Sequence, residues 1–316
     1  MSDAQSTRPA RPMSGVLSPV VTPFDADLRP DGARFVRHCQ WLLSQDVGLA
    51  VFGTNSEGNS LTVGEKIGLL DTLAEAGVPT ARMMPGTGTC ALGDTVELTR
   101  HAVKLGVGGV LMLPPFYYKG NTDEGLFRSF SEVIQRVGDS RLKIYLYHIP
   151  PVAQVPITLT VIERLLKAYP GTIAGVKDSS GDWANTNAML EQFQPAGFDV
   201  FAGSESFLLQ TLRGGGAGCI SATANVNPGP IAKLAATWQR ADADEQQAGL
   251  DAVRTVFQGY VMIPALKAAI AHYGDDAAWT TVRPPLVELE TAQQADMVTR
   301  LNAVGFTMPG LAVGAR

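Results

Sequence analysis

The feature that most constrains this chain is an alternation. Short β-rich apolar runs recur, each followed by a Gly/Pro/polar loop and then by a segment with helical spacing. The runs are residues 15–24 (GVLSPVVTPF), 48–54 (GLAVFGT), 82–88 (RMMPGTG), 108–115 (GGVLMLPP), 143–150 (KIYLYHIP), 172–177 (TIAGVK), 198–203 (FDVFAG) and 218–224 (GCISATA). Strands that alternate with helices are parallel, and parallel strands covered on both faces read as continuous apolar runs. Eight such units predict an α/β fold, a (β/α)₈ TIM barrel. A doubly wound open sheet is the alternative, but no linker or composition break divides the chain.

Between the runs, Phe35, Cys39, Leu42 and Leu43 fall at i, i+4, i+7 and i+8, and Val161, Ile162, Leu165 and Leu166 repeat a two-wide stripe at i+4. Both spacings suit amphipathic helices. Asn121 with Glu124 three residues on reads as a capping box, and Asn227 before Pro228 as an N-cap with proline at the first helical position. After about residue 228 only helical patterns remain. The expected division is a disordered tail over 1–13, a barrel over 14–228, and a C-terminal helical region over 229–316 packed on it as one unit.

Composition narrows the function classes. With 316 residues, 45% hydrophobic and 17% charged, the chain can bury a large core, and a net charge of -5 argues against a polyanion-binding surface. No nucleic-acid partner is expected. Cys39, Cys90 and Cys219 are odd in number and far apart, unlike a disulfide framework or a zinc pair, which fits a reducing, cytoplasmic location. His38, His101, His148 and His272 are scattered, and none lies four residues from another, so a helical His-x-x-x-His pair is excluded. Neither a metal nor a cofactor is expected. The first residues, MSDAQSTRPARPM, lack an apolar core of signal-peptide length, and no run reaches membrane-spanning length, so no membrane partner is expected either.

In a (β/α)₈ barrel the chemistry sits at the C-terminal ends of the strands. That rule gathers Thr54, Asn55 and Ser56, then Tyr117 and Tyr118, Tyr147, Lys177, Gly203 to Glu205, and Ser221 to Asn225 around one mouth. Lys177 ends an apolar strand beside Ile173, Ala174 and Val176. A strand-end lysine can simply snorkel to water. Alternatively, desolvation disfavours the charged form of a buried amine. A neutral amine attacks a ketone to form a Schiff base, and that cation is an electron sink for the neighbouring C–C bond. Tyr147, one strand away, is either an amphipathic rim residue or a phenol that shuttles the protons of this addition. FGTNSEGNSL is a Gly/Asn/Ser turn, or a set of donors able to hold a carboxylate. PGTGTCALGD lacks the spacing of a dinucleotide loop, and the acidic run at 242–245 reads as a solvated helix start.

Six stretches in order, GTNSE, PPFYYKG, YLYHIP, GVKDSSGD, FAGSESFLL and GCISATANV, resemble the dihydrodipicolinate synthase / N-acetylneuraminate lyase family of Schiff-base-forming lyases over about residues 14 to 305. The resemblance implies a barrel with C-terminal helices, a homotetramer, Lys177 as the Schiff-base lysine and Tyr147 as the proton-transferring tyrosine. It implies Thr54 and Asn55 as ligands of a 2-oxo acid's carboxylate, and one tyrosine of the FYY stretch, Tyr118 with Tyr117 as the alternative, as the residue reaching a neighbouring subunit's site. Gly203, Ser204 and Ile220 complete the candidate substrate-binding set, together with Ser179.

The resemblance is uneven across branches. Where true dihydrodipicolinate synthases carry an arginine for the second substrate's carboxylate, this chain has Val152; the usual second threonine is Asn55, and the usual glycine is Ser56. That argues against lysine biosynthesis. GTNSE, GVKDSSGD, FAGSESFLL and the late IPALKAAIAHYG and RPPLVEL look closer to the 4-hydroxy-2-oxoglutarate aldolase branch, in which the serine matching Ser179 contacts hydroxylated carbons of the substrate. The expected enzyme is a cofactor-free lyase cleaving a hydroxylated 2-oxo acid to pyruvate and an aldehyde. The alternatives are 4-hydroxy-tetrahydrodipicolinate synthase, a dehydratase or deaminase using the same imine, and a non-catalytic 2-oxo-acid-binding protein.

Overall fold

A computed structural model describes residues 13–311. The expected disordered tail at residues 1–12 lies outside them, and Met13 is buried. Seven parallel strands form one sheet: β1 (Gly15–Ser18), β2 (Gly48–Leu49), β3 (Val110–Met112), β4 (Ile144–His148), β5 (Ile173–Asp178), β6 (Asp199–Ala202) and β7 (Gly218–Ile220), in the order β2-β1-β7-β6-β5-β4-β3.

The two edge strands do not stay open. Residues 83–87 run between them as an eighth stave, with Met84 and Gly86 N–H donating to Leu49 and Val51 carbonyls, and Leu111 N–H donating to Pro85. This stave bridges β2 at Met83 and β3 at Gly86 and closes the barrel. It is the run RMMPGTG. Its pairing is sparse because Pro85 has no N–H to give to a ladder.

The amphipathic spacings form the expected helices. Gly32–Ser44 buries Phe35, Cys39 and Leu42, and Leu159–Ala168 buries Val161, Ile162 and Leu165. One cap differs from expectation. The helix Asp123–Val137 is capped by Thr122, whose hydroxyl accepts from Gly125 N–H, because Asn121 spends its amide on the Pro115 and Tyr118 carbonyls. Asn227 does occupy the N-cap of Pro228–Thr237, with Pro228 at the first position, but makes no side-chain cap bond.

Two apolar layers sandwich the sheet. Alternate strand residues, among them Leu17, Ala50, Met84, Leu111, Phe201 and Ile220, fill the barrel interior. Their neighbours face the helices: Val16 shares a cluster with Ile231 and Leu234 of Pro228–Thr237. The helices Ala243–Gln258, Met262–Tyr273 and Thr291–Ala303 follow, and their Phe257, Leu266 and Leu301 join the same buried cluster as Phe35 and Leu70 from the barrel helices. Among the described residues, no helix is long and apolar enough to cross a membrane.

Candidate active site

Successive strand residues point to opposite faces, and this sets the role of the last turns of β4 and β5. Val176 belongs to the outer layer, so Lys177 lies inside, level with Tyr147 of β4 and Phe201 of β6. Lys177 and Tyr147 are each only 2% exposed. The Lys177 Nζ donates to the Tyr147 hydroxyl at 3.2 Å and sits 4.2 Å from the centre of its ring. The same hydroxyl lies 3.1 Å from Thr54 Oγ1, on the short turn Thr54–Ser56 that follows β2. Amine, phenol and threonine hydroxyl form a chain of exchangeable protons, closed off from bulk water at its lysine end. Asn55, half-buried, is the next residue of that turn.

The floor beneath is built to be filled. Tyr145, one layer down on β4, is fully buried, and its hydroxyl donates to Asp199 at 3.1 Å. Room for its ring depends on Gly175 of β5, where a Cβ would meet the Tyr145 ring at 2.7 Å.

The loop leaving β5 is fixed by Asp178. Its carboxylate accepts from Ser180 N–H at 2.9 Å, Asn185 Nδ2 at 3.0 Å and Thr186 Oγ1 at 2.6 Å. Ser179 is thereby set with its N–H on the His148 carbonyl at 2.7 Å. His148 Nδ1 accepts from Ile157 N–H at 3.0 Å, and burial lowers the pKa of its ring. Gly203 N–H donates to the Asp178 carbonyl at 2.7 Å, and a Cβ at Gly203 would lie 2.1 Å from Ser179 Oγ. The Ser179 hydroxyl therefore occupies the space glycine leaves. Ser204 caps the next turn through Ser206 N–H, and Ile220 is buried in the interior layer with Tyr147 and Phe201.

Two buried carboxylates at the mouth have partners that the sequence reading did not find. Glu57, directly after the Thr54 turn, pairs with Lys267 at 2.5 Å and accepts from Arg283 N–H at 2.9 Å. Burial holds the Lys267 amine below lysine's usual range, at about 8. Glu205, directly after Ser204, accepts from the Ser221 and Thr223 hydroxyls and from Arg254 at 2.8 Å. The available signal for the first pair was a lone lysine in an apolar helix, PALKAAIA.

Not every candidate joins this cluster. Tyr118 is 77% exposed and Tyr117 73%, their rings edge to face at 5.3 Å. Val152, on the short helix Pro150–Ala153, is exposed as well. Beside it, Lys119 is engaged by the Ala153 carbonyl at 2.7 Å. Among the described residues, no group of three or more His, Cys, Asp or Glu side chains is placed to hold a metal ion.

The sequence model of the dihydrodipicolinate synthetase family matches residues 12–304. The chain belongs to this family. A DapA-like lyase of Chloroflexus aurantiacus, itself uncharacterized, is 35% identical over 89% of this chain and 93% of its own length. The 4-hydroxy-tetrahydrodipicolinate synthase of Moorella thermoacetica is 36% identical over 67% of this chain and 70% of its own. Among solved structures, dihydrodipicolinate synthase from Agrobacterium tumefaciens superposes with a TM-score of 0.85 at 28% identity, covering 92% of this chain and 99% of that one. A prophage protein of the same family from E. coli, in complex with pyruvate, gives 0.84 at 26% identity, covering 93% and 99%. The resemblance drawn from the six motifs is thereby confirmed. The chain is a lyase of the dihydrodipicolinate synthetase family on a TIM-barrel fold.

Proposed function

We propose that this dihydrodipicolinate synthetase family member is a class I aldolase that uses Lys177 to cleave a hydroxylated 2-oxo acid, such as 4-hydroxy-2-oxoglutarate or a 2-keto-3-deoxy sugar acid, into pyruvate and an aldehyde. The observation that carries the proposal is the buried chain from Lys177 through Tyr147 to Thr54, with steps of 3.2 and 3.1 Å.

The Lys177 amine adds to the C2 carbonyl, and loss of water, with protons relayed through Tyr147, leaves the imine. Tyr147 then takes the proton of the C4 hydroxyl. The C3–C4 bond breaks, its electron pair flows into the imine to give the enamine, and the aldehyde leaves. Protonation at C3 and hydrolysis release pyruvate and restore the amine. Thr54 and Asn55 supply hydroxyl and amide groups for the substrate's carboxylate. Ser179, held against Gly203, is the hydrogen-bonding partner for the hydroxylated carbons. A site built to bond a hydroxyl rejects analogues lacking one, because its own polar group would be left unpaired. Exposed Tyr117, Tyr118 and Val152 support assembly into a homotetramer in which Tyr118 enters a neighbouring site.

The second reading is 4-hydroxy-tetrahydrodipicolinate synthase, favoured by the name of the Moorella thermoacetica relative. Against it, Val152 offers no charge for an aldehyde that carries its own carboxylate. Product analysis separates the two. Release of pyruvate and an aldehyde from a hydroxylated 2-oxo acid supports the aldolase. Condensation of pyruvate with aspartate semialdehyde, with no cleavage of any hydroxylated 2-oxo acid, replaces it with the synthase.

A further inference from the structure

We propose that the C-terminal helices are part of the site's machinery: they hold the loops after β2 and β6 in position through ion pairs to two buried carboxylates, Lys267 with Glu57 and Arg254 with Glu205. The role rests on the lyase reading above, because it concerns how that site is kept in register.

Glu57 ends the turn that carries Thr54 and Asn55, and its φ of 55° lies in the left-handed region. That conformation is uphill for a residue with a Cβ and needs outside restraint. The restraint comes from the C-terminal region. One carboxylate oxygen takes Lys267 Nζ at 2.5 Å and the other the Arg283 N–H at 2.9 Å. Lys267 is fully buried, donates also to the Thr281 carbonyl at 2.8 Å and lies 4.4 Å over the Phe24 ring.

Across the mouth the same device recurs with different residues. Glu205 follows Gly203 and Ser204, is 1% exposed, and has one oxygen on Thr223 and the other on Ser221 and Arg254. Gln247, on the same helix as Arg254, donates to the Glu205 carbonyl at 3.0 Å. Each cation thus comes from a helix beyond the barrel, Lys267 fully buried and Arg254 partly so, and each carboxylate sits one residue from a candidate substrate contact or from its turn.

Net stability does not require such pairs, since apolar residues of similar volume often serve as well. What a charged pair adds is a fixed mutual position. Displacing a binding group by about 1 Å can cost on the order of a hundredfold in rate. Lys267 and Arg254 are therefore positioning residues.

The test compares full-length wild type with Lys267→Met, Glu57→Leu/Lys267→Met, Arg254→Met and Arg254→Lys. Three quantities are read: melting temperature, the pyruvate concentration giving half-maximal borohydride trapping, and amide hydrogen exchange over residues 53–60 and 203–206. Lys267→Met is expected to melt lower, to need about tenfold more pyruvate or above, and to exchange faster over 53–60. The double variant, with no charge left unpaired, should regain melting temperature while keeping the raised pyruvate requirement and fast exchange. Arg254→Met should do the same over 203–206, and Arg254→Lys should restore slow exchange. A double variant with wild-type pyruvate requirement and exchange would overturn the proposal. If that variant melts low, equal behaviour of Arg254→Met and Arg254→Lys overturns it instead. Wild type that traps no pyruvate contradicts the imine reading, and the exchange comparison then still decides whether the helices hold the loops.

Discussion

The loops after β2 and β6 and the loop after β3 stand around one barrel mouth in opposite conditions. In the first two, Glu57 and Glu205 are 4% and 1% exposed and every carboxylate oxygen is bonded. In the third, Tyr117 and Tyr118 lie open to solvent against each other, and the loop is stitched by bonds to its carbonyls, from Asn121 to Tyr118 and from Lys119 to Phe116. The contrast divides the mouth into a buried, bonded part and an open one. The tethered loops carry Thr54, which meets Tyr147 of β4 at 3.1 Å, and Ser204 beside the Ser179 pocket. The aromatic loop leaves its apolar area open, and covering it is the part of the proposed homotetramer.

The sharpest way to break this division is to remove the middle of the chain from Lys177 through Tyr147 to Thr54. Tyr147→Phe keeps the ring over Lys177 and deletes the hydroxyl between 3.2 and 3.1 Å contacts. Turnover should fall by roughly 10²- to 10⁴-fold, the usual worth of a positioned acid or base, with little change in melting temperature. Steady-state kinetics beside a thermal melt checks both halves.

Next in size is Gly203→Ala, which drives a methyl to 2.1 Å from Ser179 Oγ and 2.8 Å from the Asp178 carbonyl. A loss of about 1–3 kcal/mol in denaturant unfolding is expected from overpacking. Stability unchanged by the methyl would mean that the tethered side is loose.

His38 tests the same side from behind. It is packed between Trp41 and Trp279, with ring centres at 5.5 and 5.1 Å, and the turn bearing Trp279 leads to the carbonyl that receives Lys267. Burial lowers its pKa from 6.5 to about 4. Between those values the unfolded chain binds a proton that the folded chain refuses, so stability present above pH 6.5 is lost as pH falls through 4. The loss should reach about 3 kcal/mol. His38→Leu should flatten that part of the stability profile, measured as denaturant midpoints from pH 7 to 4.

Smallest in stability terms is Tyr118→Ala. An exposed side chain has little packing to lose, so unfolding of the chain should change by less than about 0.5 kcal/mol. If Tyr118 enters a neighbouring site as proposed, kcat/KM should fall, by less than for Tyr147→Phe. Unchanged kcat/KM, with sedimentation showing the assembly intact, would remove Tyr118 from the site.

These contrasts also explain what was readable in the sequence. Lys177, Tyr147 and Thr54 could be found because the period of two and the strand-end rule act locally: each needs only its own strand and the loop that follows. The stave at residues 83–87 was legible as an apolar run, though Pro85, with no N–H to give, keeps it from pairing as a regular strand. Asn121 misled because Asn, like Thr122, can cap, and only the three-dimensional turn shows that its amide is already engaged by two carbonyls. The Lys267 to Glu57 pair joins residues 210 apart, and the Arg254 to Glu205 pair residues 49 apart. No periodicity links such positions. The local trace is Lys267, a charge in the apolar stretch PALKAAIA.

Imine formation at Lys177 is read out by borohydride reduction in the presence of pyruvate, followed by peptide mass spectrometry. A reduced pyruvate adduct is expected on the peptide containing Lys177 in wild type and none in Lys177→Met. Folded wild-type protein with no adduct from pyruvate, glyoxylate or longer 2-oxo acids, or with the adduct on another lysine, would contradict it.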